Sequence, residues 1–193
     1  MVALGTAACD SPQPTPSSRA GTLAPTTSSA AAATPTVQPE SVDYSRLLLT
    51  AGDLSDAEDT FSVRSQSQNP NGMPGASALF VNADDTRAIA DTFVVYPDGA
   101  TATATLRQAA ATINTIVAGG EPRPSSVGTD GTVISGTSPD GTKAVTLLLF
   151  TQGPALVRLE FDSAPGDTTT DQFVTAIGTM QKVALRIGLP DTE

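Results

Sequence analysis

The sequence predicts an α+β domain: an antiparallel β-sheet of about six strands with two long helices packed on one face, in the order α-βββ-α-βββ-α. Three observations carry this reading. Lys143–Asp162 holds two strand-length apolar runs, K-A-V-T-L-L-L-F and A-L-V-R-L-E-F-D, on either side of T-Q-G-P. Ala100–Ala118 and the segment starting at Thr169 or Thr170 repeat apolar residues every three or four positions, the period of one helix face. The strand-like runs come in groups interrupted by single helices, which selects α+β over a sheet alternating one for one with helices.

Taken in order, the domain is expected to start near Asp43. Tyr44, Leu47, Leu48 and Thr50-Ala51 fit a short helix that Gly52 or Asp53 stops. Asp59–Gln66 places Phe61 and Val63 against polar neighbours and reads as a strand. Asn69–Gly75 is a loop by its Asn, Gly and Pro content. Ala76–Asn82 and Arg87–Tyr96 are two further strands, with Asp84-Asp85 at the tip between them. Pro97-Asp98-Gly99 ends the third strand, and Asp98 is placed to cap the helix over Ala100–Ala118. Its apolar face is Leu106, Ala109/Ala110, Ile113 and Ile116/Val117, and Gly119-Gly120 stops it.

Glu121–Ser126, with Pro122 and Pro124, is a loop, and a three-strand meander follows over Thr132–Thr137, Lys143–Phe150 and Ala155–Asp162. In the last strand Val157, Leu159 and Phe161 alternate with Arg158, Glu160 and Asp162, so one side is buried and the other wet. In the middle strand Leu147, Leu148, Leu149 and Phe150 are apolar on both sides. With both helices on one face, the other side of this strand needs separate cover, which a ligand, a partner or the short helix at Tyr44–Ala51 could supply, and these four residues are the candidate contacts for a hydrophobic ligand. The final helix carries the stripe Phe173, Ile177, Met180, Ala184 and Ile187, and Gly188 with Pro190 ends it.

The N-terminal part differs in kind. Met1–Cys9 reads as the remnant of a lipoprotein signal, with Ala7 and Ala8 before Cys9, the expected lipidation site. The apolar leader is shorter than the roughly 7–15 residues of a secretory core and has no positive start, so the chain is expected to begin late. Residues 10–42 read as a disordered Pro/Ser/Thr-rich tether, because such a composition buries too little surface to offset its ordering entropy. Residues 43–193 then form a single α+β domain, of a size that buries roughly 68–70% of its unfolded surface.

Composition restricts the chemistry. The chain of 193 residues has a net charge of −10, against nucleic acid and against docking on anionic lipid through a basic face. It has no His and only one Cys, Cys9, so the commonest general base, internal disulfides and cysteine-based zinc sites are excluded. No catalytic residue, metal site or cofactor is predicted. Asp130-Gly131-Thr132 and Asp140-Gly141-Thr142 read as turns. Asp53, Asp56, Glu58 and Asp59 form an acidic group without calcium-loop spacing. Serine and threonine lack a histidine partner, and only carboxylate pairs leave a hydrolase open.

The cysteine after small residues, the Pro/Ser/Thr tether and the compact domain together resemble an actinobacterial, mycobacterial-type cell-envelope lipoprotein. The element order is similar to the PsbP-like lipoproteins of that group. Tyr44-Ser45-Arg46-Leu47-Leu48-Leu49-Thr50 resembles the leucine-rich start of extracellular sensor domains of mycobacterial serine/threonine kinases. No site residue follows from these resemblances. They imply an extracytoplasmic protein attached to the outer face of the cell membrane by a lipid on Cys9. Its expected role is non-catalytic binding of an envelope protein or a small hydrophobic ligand. A carrier of lipid or another hydrophobic ligand, and an envelope hydrolase using carboxylates, are the alternatives.

Overall fold

The computed structural model describes residues 42–57 and 59–189. Cys9, the expected tether up to residue 41, Glu58 and Pro190 lie outside the described residues. Among the described residues seven strands form one sheet: β1 (Phe61–Gln68), β2 (Gly75–Asn82), β3 (Ala88–Val95), β4 (Arg123–Pro124), β5 (Thr129–Thr137), β6 (Ala144–Gln152) and β7 (Ala155–Ser163). Their order is β1-β2-β3-β7-β6-β5-β4, and every neighbouring pair is antiparallel. Two meanders, β1–β3 and β4–β7, are joined where β3 pairs with β7, Ile89 opposite Phe161 and Phe93 opposite Val157. The β6–β7 hairpin therefore runs through the middle of the sheet.

The helices are α1 (Ala51–Leu54), α2 (Gly99–Ala111) and α3 (Asp171–Gly188), with 3-10 turns at Ser45–Leu47 and Ile113–Thr115. The α+β class and antiparallel sheet agree with the sequence; the details need four corrections. First, there are seven strands rather than six, because Arg123–Pro124 in the expected loop pairs with Val133 and Thr132. It is an edge strand, where a proline costs the sheet no ladder bond.

Second, α2 and α3 lie on opposite faces rather than on one. Leu106 of α2, with Ile113 and Val117 beyond it, packs on Ile134, Val145, Leu147 and Leu149. Val174, Ile177 and Leu185 of α3 pack in a separate core with Leu148, Phe150, Val157, Leu159 and Phe161. The doubly apolar β6 is the cause: Ala144 to Thr151 are all buried. Leaving one side bare would forfeit about 1.5–3 kcal/mol for each large side chain exposed.

Third, the expected helix over Ala100–Ala118 is α2 plus a tight turn. Asp98 caps it, accepting from the Thr101 N–H at 2.6 Å. The regular helix stops at Ala111, where Thr112 donates its hydroxyl to the Ala109 carbonyl at 3.2 Å and begins a run of β-branched residues. The short N-terminal helix is likewise a 3-10 turn followed by the single turn of α1, whose Asp53 carboxylate accepts from the Thr50 N–H and hydroxyl at 2.8 and 2.7 Å.

Fourth, α3 is rotated relative to its most apolar stripe. Its buried residues are Val174, Ile177, Gly178, Gln181 and Leu185, while Ile187 is 77% exposed and Met180 lies at the surface. Gly178 sets this phase: a Cβ there would come within 2.5 Å of Leu148 Cδ2, so only glycine lets α3 sit this close to β6.

Candidate functional site

Among the described residues, the face under α2 is covered over only part of its width. α2 crosses β5, β6 and β7. Among the described residues no helix continues over β1–β3, and there Ser77, Leu79 and Val81 of β2 and Ala88, Ala90 and Thr92 of β3 are half-buried. The polar side of β7 runs along the boundary. Arg158 sits between Leu149 on β6 and Thr92 on β3, and Glu160 between Leu147 and Ala90. The Arg158 guanidinium donates to the Glu160 carboxylate, so the centre of this open surface is an internal ion pair.

At one end the surface dips into a recess of about 550 Å³ lined by Ile116, Val145, Glu160, Asp162, Lys143 and the turn Ser138–Thr142. Lys143 Nζ lies 2.8 Å from Asp162 Oδ2. The Asp162 hydrogen bond and charge, with Glu160 and Asp140 behind them, push the Lys143 pKa up. Asp140 is held ionised, its pKa lowered to about 2 by the Ser138 hydroxyl and by the Thr142 N–H and hydroxyl. The recess thus sets three carboxylates against the Lys143 ammonium, with Glu160 also held by Arg158 at the edge. Asp162 Oδ1 is buried there without a hydrogen-bond partner. An arrangement of this kind attracts a cation and accepts hydrogen bonds. The Ser138 hydroxyl donates to the Asp140 carboxylate at 2.5 Å and accepts from the Lys143 N–H at 3.1 Å.

The sequence-predicted candidates fall elsewhere. Leu147, Leu148, Leu149 and Phe150 are 0%, 0%, 4% and 0% exposed, in the two cores beneath α2 and α3. The cover that the sequence leaves open is supplied by the chain's own helices. Asp140-Gly141-Thr142 is the β5–β6 turn; Asp130-Gly131-Thr132 is instead an irregularity within β5, with Asp130 bound by Arg107 at 2.8 Å. Of the acidic group, Asp53 caps α1, and Asp59 pairs with Arg87 at 3.3 Å. Among the described residues no three His, Cys, Asp or Glu side chains come close enough together to hold a metal ion.

Two polar residues in the α3-side core have no counterpart in the sequence reading. Asp91 on β3 and Gln181 on α3 are fully buried. Asp91 Oδ2 accepts from the Leu49 N–H at 3.2 Å, and Gln181 Nε2 donates to the Leu47 carbonyl at 3.0 Å. Asp91 Oδ1 and Gln181 Oε1 have no partner. A signal for Asp91 does exist: it lies in phase with Ile89 and Phe93, on the side of the strand that turns inward.

No protein-family model matches the chain, and no curated protein does. Among solved structures, the extracellular domain of PknH from Mycobacterium tuberculosis is similar, with a TM-score of 0.52 and 10% sequence identity. The match covers 75% of this chain and 97% of that domain. The likeness is one of fold: the sheet and helices described above are similar in arrangement to those of that extracellular domain.

Proposed function

We propose that this chain is a non-catalytic binding module of the cell envelope, held at the outer face of the membrane by a lipid on Cys9. Residues 10–42 act as its tether, and a basic segment of an envelope protein is its partner. The observation that supports a binding role is the half-covered α2 face. A sheet surface flanked by a helix on one side only, with an acidic recess at its end, offers a partner both area and charge. The fold likeness to an extracellular domain supports the location.

The test is capture of partners from the envelope fraction of the host cell by the full chain and by Glu160→Lys/Asp162→Lys. Loss of the captured protein in this variant, with capture retained by Arg64→Glu on the exposed part of β1, is expected. Equal capture by all three proteins rules out the recess. Turnover of ester, glycoside or peptide probes, abolished by a single Asp or Ser substitution, overturns the non-catalytic reading. Metabolic labelling with an alkyne fatty acid should tag the wild type and not Cys9→Ala.

A further inference from the structure

The segment Leu47–Leu49 is a strap laid across the α3-side core, and it is gripped from both sides. From the sheet, Asp91 accepts from the Leu49 N–H; from the helix, Gln181 donates to the Leu47 carbonyl. Leu47 also lies against Gly188 at the end of α3, where a Cβ would approach its Cδ2 to 2.0 Å. Tyr44, just before the strap, meets Phe93 edge-on at 6.4 Å. The three leucines of the strap are buried.

Both grips are incomplete in the same way. Each holds one backbone group of the strap and leaves one acceptor oxygen, Asp91 Oδ1 or Gln181 Oε1, buried and unmatched. An ionised Asp91 is an unpaired charge in an apolar core, with one of its oxygens unmatched. A proton on Asp91 removes that charge and leaves the Leu49 N–H bond to Oδ2 in place.

We propose that Asp91 and Gln181 form a proton-operated clasp on Leu47–Leu49. With Asp91 protonated the clasp closes and the strap is held to β3 and α3; on loss of the proton the strap loosens.

Among the described residues, the surroundings of Asp91 bring no second charge to it. Ala78 of β2 and Leu159 of β7 stand opposite it. The ionisable residues beside the strap are engaged elsewhere: Tyr44 at Phe93, Arg46 at the Gly188 carbonyl and Asp53 at the α1 cap. α3 turns Gln181 and Leu185 inward, while its Lys182 is half-buried and its Arg186 exposed. Arg158 and Glu160 of β7 belong to the opposite face, and Arg87 of the β3 approach is paired with Asp59 and Asp167. Burial acts first and pushes the Asp91 pKa up to about 7, the Leu49 hydrogen bond opposing it. The folded state then holds a proton that the unfolded state releases near pH 3.8. The clasp is strongest in acid, weakens as pH rises from about 4 to 7, and levels off above that.

The experiment uses the full chain. Carbon-13 titration of the Asp91 carboxyl is expected to show a midpoint near neutrality. The protection factor of the Leu49 amide, corrected for intrinsic exchange, is expected to fall on the order of a hundredfold between pH 5 and pH 8. Asp91→Asn removes the charge permanently, so its Leu49 protection should be level with pH, and its melting temperature relative to wild type should rise from pH 5 to pH 8. An Asp91 midpoint near 4 overturns the proposal. So does a pH-dependent fall in Leu49 protection that Asp91→Asn retains. Should Asp91→Asn not fold, the wild-type titration and exchange decide alone.

Discussion

Leu148 and Leu149 are consecutive residues of β6 and belong to different cores, Leu148 beneath α3 and Leu149 beneath α2. The sheet therefore works as a partition with a helix bearing on each side of its centre. Among the described residues the two cores beneath these helices have no buried side chain in common.

Matched deletions on the two sides should consequently act independently. Ile113 lies in the α2-side core and Ile177 in the α3-side core, at 1% and 2% exposure. Ile113→Val and Ile177→Val should each cost about 0.5–1.5 kcal/mol. The double variant should match their sum to within about 0.5 kcal/mol, because the sites share no side-chain partner. Urea unfolding of the four proteins closes this cycle. A coupling well above 1 kcal/mol would show that the sheet transmits packing changes from one face to the other.

Gly178 is a helix residue that a stability designer would replace. In an exposed helix alanine gains about 1 kcal/mol over glycine. Here the added methyl meets Leu148 Cδ2 at 2.5 Å and Val127 Cγ1 at 3.1 Å, and both belong to fully packed core residues. Overpacking costs typically about 1–3 kcal/mol and outweighs the propensity gain. Gly178→Ala should lower the urea midpoint; Gly178→Ala with Leu148→Val, which vacates the colliding methyl, should recover part of the loss.

The contrast between Gly178 and Met180 shows what was legible in the sequence. Element types came through wherever period and turn chemistry agreed: the Val157/Leu159/Phe161 alternation, the Asp98 cap and the extent of α3 all appear in the structure. The phase of α3 did not, because hydrophobicity alone favours Met180 and Ile187. The structure instead buries Gly178 for close approach and Gln181 for its bond to Leu47. Helix placement failed for a related reason. The apolar pattern of β6 demands cover on both faces, but it does not say that the cover comes from the chain's own helices. The same ambiguity made Leu147–Phe150 look like ligand contacts. The acidic recess was invisible because it joins the Ser138–Thr142 turn to Glu160 and Asp162 across two strands.

The β5–β6 turn should be sensitive to acid in the opposite sense to the Asp91 clasp. Asp140 is fully exposed, yet hydrogen bonds from Ser138 and Thr142 lower its pKa to about 2. A depressed carboxylate contributes stability that is present above its unfolded pKa and is lost as pH falls toward its folded one. Carbon-13 titration of Asp140 should give a midpoint near 2, and Ser138→Ala, which removes the hydroxyl that donates to it at 2.5 Å, should raise it. A midpoint unchanged by Ser138→Ala would mean that the Thr142 donors alone hold the carboxylate.

Lys143 separates the stability of the recess from its proposed use. Its side chain is 53% exposed and its pair with Asp162 is a surface ion pair. Lys143→Met should therefore change stability by less than about 1 kcal/mol. It nevertheless removes the cation facing Asp140, Glu160 and Asp162, leaving the recess more negative. Binding of a basic partner should become tighter, mainly through faster association, and more salt-sensitive. Asp162→Asn should act in the other direction, slowing association while leaving the β6–β7 pairing intact. Surface-plasmon-resonance kinetics at two salt concentrations, with the captured envelope partner, distinguish these effects. Weaker binding by Lys143→Met at both salts would show that the ammonium itself contacts the partner, and that the partner brings an acidic group to the recess rather than a basic one.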